Sequence, residues 1–483
     1  MKQKKIKKGR PNLTGKLTAQ DLVKLGFPSG KPTGTALNII HTYFTELPRL
    51  HQIELLQDVL AAPDQYQLHA TLAPLAQAIL HRKESAPISL NETKLPYTIY
   101  GAEGIEQGAL SQMDIAMQLP VTQGGALMPD AHQGYGLPVG GVLATHHAVI
   151  PYGVGVDIGC RMSMSIFAIN TSYLEANRDK LIKMLTDSTR FGNNAFKKPM
   201  DHEIMSRPEF SEIPVVRELK ERAYMQLGSS GGGNHFVEFG EVELHGADNE
   251  FGLKPGSYLA ILSHSGSRRL GANIAGYYTK VAMDACPLPQ EAKHLAWLGL
   301  DTEAGQEYWL AMNLAGDYAS ACHHQIHERL AAKLGEAPLA RIENHHNFAW
   351  KEKDATGKEV IVHRKGATPA GKGVMGIIPG TMATPGFIVR GKGEIASLNS
   401  ASHGAGRTMS RTQAIKTLSQ HEMSDYLKQA NVALIGAGLD EAPRAYKDIH
   451  QVMAYQKDLV EVVGTFYPKI VRMNEDKKYV EVD

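Results

Sequence analysis

The sequence predicts an α+β protein, with one large mixed domain preceded by a small helical extension. Apolar residues recur at helical spacing early in the chain, as in HQIELLQDVL and LAPLAQAILHR. From Tyr97 the pattern changes to short β-rich runs such as GGVLATHHAVIPYGVGVDIG and GSYLAILSHSGS, broken by many Gly and Pro, with helical segments between them. A chain of 483 residues that is 43% hydrophobic has enough apolar material for a sizeable core, although length alone allows one domain or several.

Taken in order, residues 1–16 read as a solvated basic arm, 17–96 as the helical extension, 97–475 as the main mixed α+β domain and 476–483 as a polar tail. The balance of 51 basic against 50 acidic residues means that any nucleic-acid site must be a local basic surface. No apolar run approaches the ~20 residues that span a bilayer, and MKQKKIKKGR lacks the apolar stretch of a secretory signal, so a cytoplasmic location is expected. Three scattered cysteines, Cys160, Cys286 and Cys322, are too few for a disulfide framework and point to a reduced compartment.

The chemistry lies where His, Cys, Asp and Asn fall beside glycines: Asp130 and His132 in PDAHQGYG, Asp157 and Cys160 in GVDIGC, Asn234 and His235 in GGGNHFVE, His264 in SHSGSR, His346 in NHHNFAW and His403 in ASHGAGR. Glycine lets backbone approach a metal or phosphate closely, as a site built from loop ends requires. Any one of the 21 histidines is more economically read as a satisfied polar residue; it is the set that carries weight. A carboxylate, a thiolate able to bridge two ions, and imidazoles suit Mn²⁺, Fe²⁺, Co²⁺ or Zn²⁺ better than Mg²⁺ or Ca²⁺. Cys286 and Cys322 are expected to be inert core thiols. His323 and His327 have the i, i+4 spacing of a metal pair, but they fall in a strongly helical stretch without an HExxH glutamate, which reads as a helix with one polar face.

There is no GxxxxGK[ST] and no lysine in a KxDG setting, which disfavours P-loop and lysine-adenylylating chemistry. The amides of GSSGGGNHF offer an anion nest, with Asn234 as a polar contact to a triphosphate. His403 is the candidate nucleophile, because a neutral imidazole attacks phosphorus and forms a high-energy phosphoramidate. Arg407 and Arg411 are placed to fork onto phosphate oxygens.

In this order, MPDAHQGYGLPVGG, VGVDIGC, GGGNHFVE, SHSGSR, HHN, HRKGA, IIPGTM, HGAGRTMSR and EAPRAYKD resemble the RtcB family of RNA-splicing ligases, over most of the chain from Tyr97 to Val462. The resemblance implies an RtcB-type fold and a GTP-dependent ligase that joins RNA 3′-phosphate or 2′,3′-cyclic phosphate ends to 5′-hydroxyl ends, in tRNA splicing or RNA repair. It implies two Mn²⁺ ions, one on Asp157, Cys160 and His235 and the other on Cys160, His264 and His346, with Cys160 as the bridge. It implies GMP carried on His403, in a pocket formed by Asn234, His235, Phe236, Val237, Glu238, His346, Asn347, Pro379, Gly380, Thr381, Met382, Gly386, His403, Gly404, Ala405, Gly406 and Tyr446. Asp130 is expected to be an auxiliary polar group.

Two departures bear on the pocket. Gly386 stands where the family usually has serine, and Asn474 or Glu475 stands where it tends to have a guanine-contacting lysine, with Lys477 and Lys478 just beyond. Both predict weaker GTP binding and a narrower preference over ATP. The alternatives are a binuclear-metal phosphodiesterase that cleaves RNA ends without joining them, and a non-catalytic RNA-end binding protein.

Overall fold

The computed structural model describes residues 16–27, 31–80, 88–196, 200–246 and 250–475. All of the basic arm except Lys16, and the polar tail with Lys477 and Lys478, lie outside these residues. The chain divides into two compact units, Met1–Ala86 and Pro87–Asp483.

The first unit is helical, with Lys31–Tyr43, Arg49–Ala61 and Ala73–Leu80 as its longer helices. Their apolar faces meet in a small core of Leu22, Phe27, Ile40, Leu56, Val59 and Leu75, which is what residues repeating at three- and four-residue intervals bury together.

The second unit is built on two main sheets, and its mixture of helices and sheets is the α+β architecture read from the sequence. One sheet runs Thr98–Ile99, Thr122–His132, Val139–Thr145, Glu359–Lys365, Asn347–Lys353 in spatial order. The other has eight strands, and four neighbours at its heart are Phe236–Leu244, Gly256–Ser265, Arg161–Phe167 and Pro338–His345, all antiparallel. Alternation explains the burial of Arg161–Phe167 on both faces. Met162, Met164 and Ile166 enter one core with Val242, Leu262 and Ile342, while Ser163 and Ser165 face Glu343 and His327 on the other side.

The helix Glu303–Leu334 starts at Thr302, whose hydroxyl accepts from Gly305 N at 3.1 Å, and stops at Gly335, which is left-handed. Two of its histidines join a polar network with serines of the neighbouring strands. Ser263 Oγ lies 2.6 Å from His323 Nδ1 and 2.8 Å from His327 Nε2, and Ser165 Oγ lies 2.8 Å from His327 Nδ1. The polar face is therefore buried, matched by serines at alternate strand positions. Cys286 and Cys322 are buried within the hydrophobic core. Among the described residues, no helix is long and apolar enough to cross a membrane.

Candidate active site

Strand order and register bring the expected ligand residues together. His235 precedes the strand Phe236–Leu244, His264 is the penultimate residue of Gly256–Ser265, Cys160 precedes Arg161–Phe167, and His346 follows Pro338–His345. These strands are antiparallel neighbours, so two starts and two ends fall at the same edge, and the pairings Phe236 with His264 and Met162 with His264 fix the offsets. Gly159, at φ +71°, lets this turn press on the long helix, because a Cβ there would lie 2.7 Å from Gly316 Cα.

Cys160 Sγ lies 3.3 Å from His235 Nε2 and 3.1 Å from His264 Nε2, and His264 Nε2 lies 3.2 Å from His346 Nε2. Asp157 Oδ2 is 3.1 Å from His235 Nε2, and its other oxygen accepts from Ser267 N at 3.1 Å. Cys160, His235, His264 and His346 are all buried. Burial, then the neighbouring His235, pushes His264 well below the usual histidine range; burial, then His403, does the same to His346. Two imidazoles thus approach one sulfur, with a third imidazole beside them and a carboxylate at the edge, a donor set that fits divalent transition-metal ions sharing a thiolate.

The nucleophile candidate stands against this cluster, with the His346 and His403 rings 5.0 Å apart between centroids. Asp130, on the strand Thr122–His132 of the other sheet, is fully buried and takes three donors from the His403 loop at one oxygen: His403 Nδ1 at 2.7 Å, His403 N at 3.0 Å and Gly404 N at 3.3 Å. Burial alone would raise its pKa, but His403 and then Lys447 outweigh it and hold the carboxyl below the usual aspartate range. A carboxylate oxygen that already accepts from two amides can only accept from His403 Nδ1 as well, so this contact places a proton on that nitrogen. Lys447 braces the same strand by donating to Pro129 O at 3.0 Å and Ala131 O at 2.7 Å, while its backbone N–H donates to Gly406 O at 2.9 Å. Gly406, at φ +72°, is required here, since a Cβ would lie 2.1 Å from Asp130 O.

A cavity of about 810 Å³ opens onto these groups. Every residue of the expected guanylate pocket lines it except Val237, which is buried in the core with Phe239, Leu259 and Ile261. Burial raises the Glu238 carboxyl well above the usual range. Arg407 and Arg411 reach the cavity but are engaged with acidic partners: Arg407 donates to Asp440 O at 2.6 Å and to Tyr446 Oη at 3.2 Å, and Arg411 pairs with Asp440 at 3.2 Å and with buried Glu441. Glu441, whose side chain also takes the Tyr446 hydroxyl, and Lys447 are two site residues that the motifs contained without marking. Near Gly386, Thr384 Oγ1 accepts from Thr381 N at 2.7 Å and lies 2.9 Å from Thr381 Oγ1, and both threonines line the cavity.

The family described as tRNA-splicing ligase RtcB matches residues 112–213 and 201–474. The chain is 32% identical over 412 residues to the RNA-splicing ligase RtcB of Escherichia coli (strain K12), covering 79% of this chain and 96% of that protein. It is 29% identical over 423 residues to a tRNA-splicing ligase RtcB of Methanococcus maripaludis, covering 72% and 88%, and 29% identical over 443 residues to that of Thermococcus kodakarensis, covering 75% and 89%.

Proposed function

The chain belongs to the RtcB family of RNA-splicing ligases, and from that membership we propose that it joins an RNA 3′-phosphate to a 5′-hydroxyl through GMP carried on His403. The observation that carries this reading is the hydrogen bond from His403 Nδ1 to the buried Asp130 carboxylate, beside a thiolate–imidazole cluster. His403 Nε2 attacks the α-phosphorus of GTP, forming an N–P bond as the P–O bond to pyrophosphate breaks. A 3′-phosphate oxygen of the RNA then attacks the same phosphorus and frees the imidazole; a 2′,3′-cyclic end is first opened by water. Finally the 5′-hydroxyl oxygen attacks the activated 3′-phosphorus, loses its proton and expels GMP. Two Mn²⁺ ions, one held by Asp157, Cys160 and His235 and one by Cys160, His264 and His346, would neutralise the charge that gathers on these phosphates. Asp130 stabilises the imidazole through each transfer, and RNA phosphates would compete with Asp440 and Glu441 for the guanidinium groups of Arg407 and Arg411 at the cavity wall.

His403→Ala is expected to retain metal and form no protein–GMP adduct with Mn²⁺ and GTP labelled at the α-phosphate. The wild-type adduct should be acid-labile and alkali-stable, as a phosphoramidate is; the reverse lability would assign the nucleophile to another residue. Cleavage of cyclic ends without label would identify a phosphodiesterase, and RNA binding with neither would identify an end-binding protein.

The pocket departures give a second expectation. A Cβ on Gly386 would lie 3.2 Å from Pro379 Cα and 3.4 Å from Ile378 O, so a serine must displace backbone by a few tenths of an ångström. Gly386→Ser is therefore expected to raise the GTP concentration for half-maximal adduct formation, the opposite of what the family motif alone suggests. Thr384→Val, which removes the hydroxyl that accepts from Thr381 N, should raise it roughly two- to tenfold, the equivalent of one neutral hydrogen bond. Titrations with GTP and ATP read both effects, and also test whether discrimination against ATP is narrow in the wild type. Unchanged GTP use in Thr384→Val would remove the two threonines from the pocket.

A further inference from the structure

The cavity is also lined by Gln133, Gly134, Tyr135 and Lys365, which the steps above do not use. Tyr135 is 56% exposed. Its loop is nevertheless pinned: the Gln112 side chain bonds both Gly134 N, at 3.0 Å, and Gly134 O, at 2.5 Å, and Glu106 accepts from Gln133 N at 2.5 Å. Tyr135 meets Tyr152 edge-on at 6.3 Å between ring centroids and His294 at 6.2 Å, and the Tyr152 and His294 rings are 5.2 Å apart. Lys365 donates to Tyr135 O at 2.6 Å, and its ammonium lies 5.3 Å from the Tyr152 ring centroid. The next residue, Gly366, abuts the nucleophile, because a Cβ there would lie 3.2 Å from His403 Cε1.

Lys365 is therefore one residue away from the glycine that abuts His403, and through Tyr135 O it ties the three-ring cluster to the wall of the same cavity. A tyrosine recruited for packing would be buried, whereas this residue is more than half exposed on a loop whose backbone is held by hydrogen bonds. An exposed, pre-positioned aromatic face beside positive charge recognises an unpaired nucleobase with its phosphate, since every base presents a π-face whatever its identity. The nucleotide that must bring a phosphate to His403 is the one at the RNA 3′ end, whose phosphate takes GMP from it.

Resting on the ligase reading, we propose that Tyr135, backed by Tyr152 and His294, stacks on the base of the 3′-terminal nucleotide of the phosphate-bearing strand, with Lys365 supplying positive charge beside it. The test uses the full chain with Mn²⁺, GTP labelled at the α-phosphate, and 3′-phosphate RNAs whose terminal nucleotide is intact or abasic. Tyr135→Ala should form the adduct within about twofold of wild type, yet need roughly five- to hundredfold more RNA for half-maximal transfer of GMP to the 3′-phosphate. Tyr135→Phe should restore transfer to within about threefold. An abasic 3′ terminus should impose a comparable loss on wild type and little further loss on Tyr135→Ala. Unchanged transfer in Tyr135→Ala overturns the proposal, as does a loss of adduct formation in that variant, or a base requirement seen only in the 5′-hydroxyl strand. Wild-type protein that never takes label would instead overturn the ligase reading, and this proposal with it.

Discussion

Cys160→Ala is expected to abolish adduct formation and ligation together, with loss of the bound Mn²⁺. The sulfur is 3.3 Å from one imidazole nitrogen and 3.1 Å from a second, and a thiolate, unlike an imidazole nitrogen, has lone pairs enough to bind two ions at once. Alanine would remove both the thiolate charge and the proposed bridge from between the two imidazoles. Losing a residue that only orients a metal ligand commonly costs 10–100-fold in affinity, so loss of a bridging ligand should exceed about a hundredfold. Serine should rescue little, since its hydroxyl keeps its proton near neutral pH and is harder than a thiolate. Cys286, buried in the core away from the cavity, gives the control: Cys286→Ala should bind metal and form adduct as wild type does. Metal content after gel filtration and labelling with GTP are the two measurements. A Cys160→Ala protein that retains two equivalents of Mn²⁺ would end the bridging argument.

Local pattern carried part of this site, and long-range register carried the rest. Ligand-type residues beside glycines mark the loops, because a loop that approaches a metal or phosphate needs both the donor and the small neighbour. Which loops meet is decided by strand order: Cys160 and His264 are 104 residues apart and adjacent only through the pairing of two strands. The Asp130–His403 bond spans 273 residues and joins the five-stranded sheet to a loop after the short strand Ser400–Ser402, so the sequence contained both partners without revealing their contact. Arg407 and Arg411 read as phosphate-facing arginines because Asp440 and Glu441 are about thirty residues away in sequence; in the fold those carboxylates share the arginines' charge. Val237 fell inside a motif whose strand alternation turns its side chain into the core, a consequence of period two that a contiguous motif does not display. The histidine-rich helix was legible as a helix. Its buried polar face was not, since the matching serines sit at alternate positions of distant strands.

The second large effect concerns Asp130. Asn at this position can still accept from the backbone amides of His403 and Gly404, so the loop geometry has a route to survive. It cannot carry the negative charge that holds the proton on His403 Nδ1, and, because one oxygen position serves all three donors, turning its N–H₂ toward that nitrogen, which favours the tautomer with the proton on the proposed attacking atom Nε2, gives up the two amide contacts. In aspartate–histidine pairs of this kind, amide substitution lowers the chemical step by about 10⁴-fold while leaving the geometry intact. Asp130→Asn is therefore expected to form protein–GMP some 10³- to 10⁴-fold more slowly than wild type, with Mn²⁺ content and the concentration dependence on GTP little changed. Lys447 complicates the variant, because its ammonium lies among the carbonyls flanking Asp130 and loses a nearby counter-charge. The melting temperature should be followed alongside, and Asp130→Asn combined with Lys447→Met separates stability from chemistry: the double variant should regain stability if charge imbalance was the cause, and should remain as slow in adduct formation. If Asp130→Asn forms adduct within tenfold of the wild-type rate, the carboxylate does not set the tautomer of His403, and the proposed activation of the nucleophile must be abandoned.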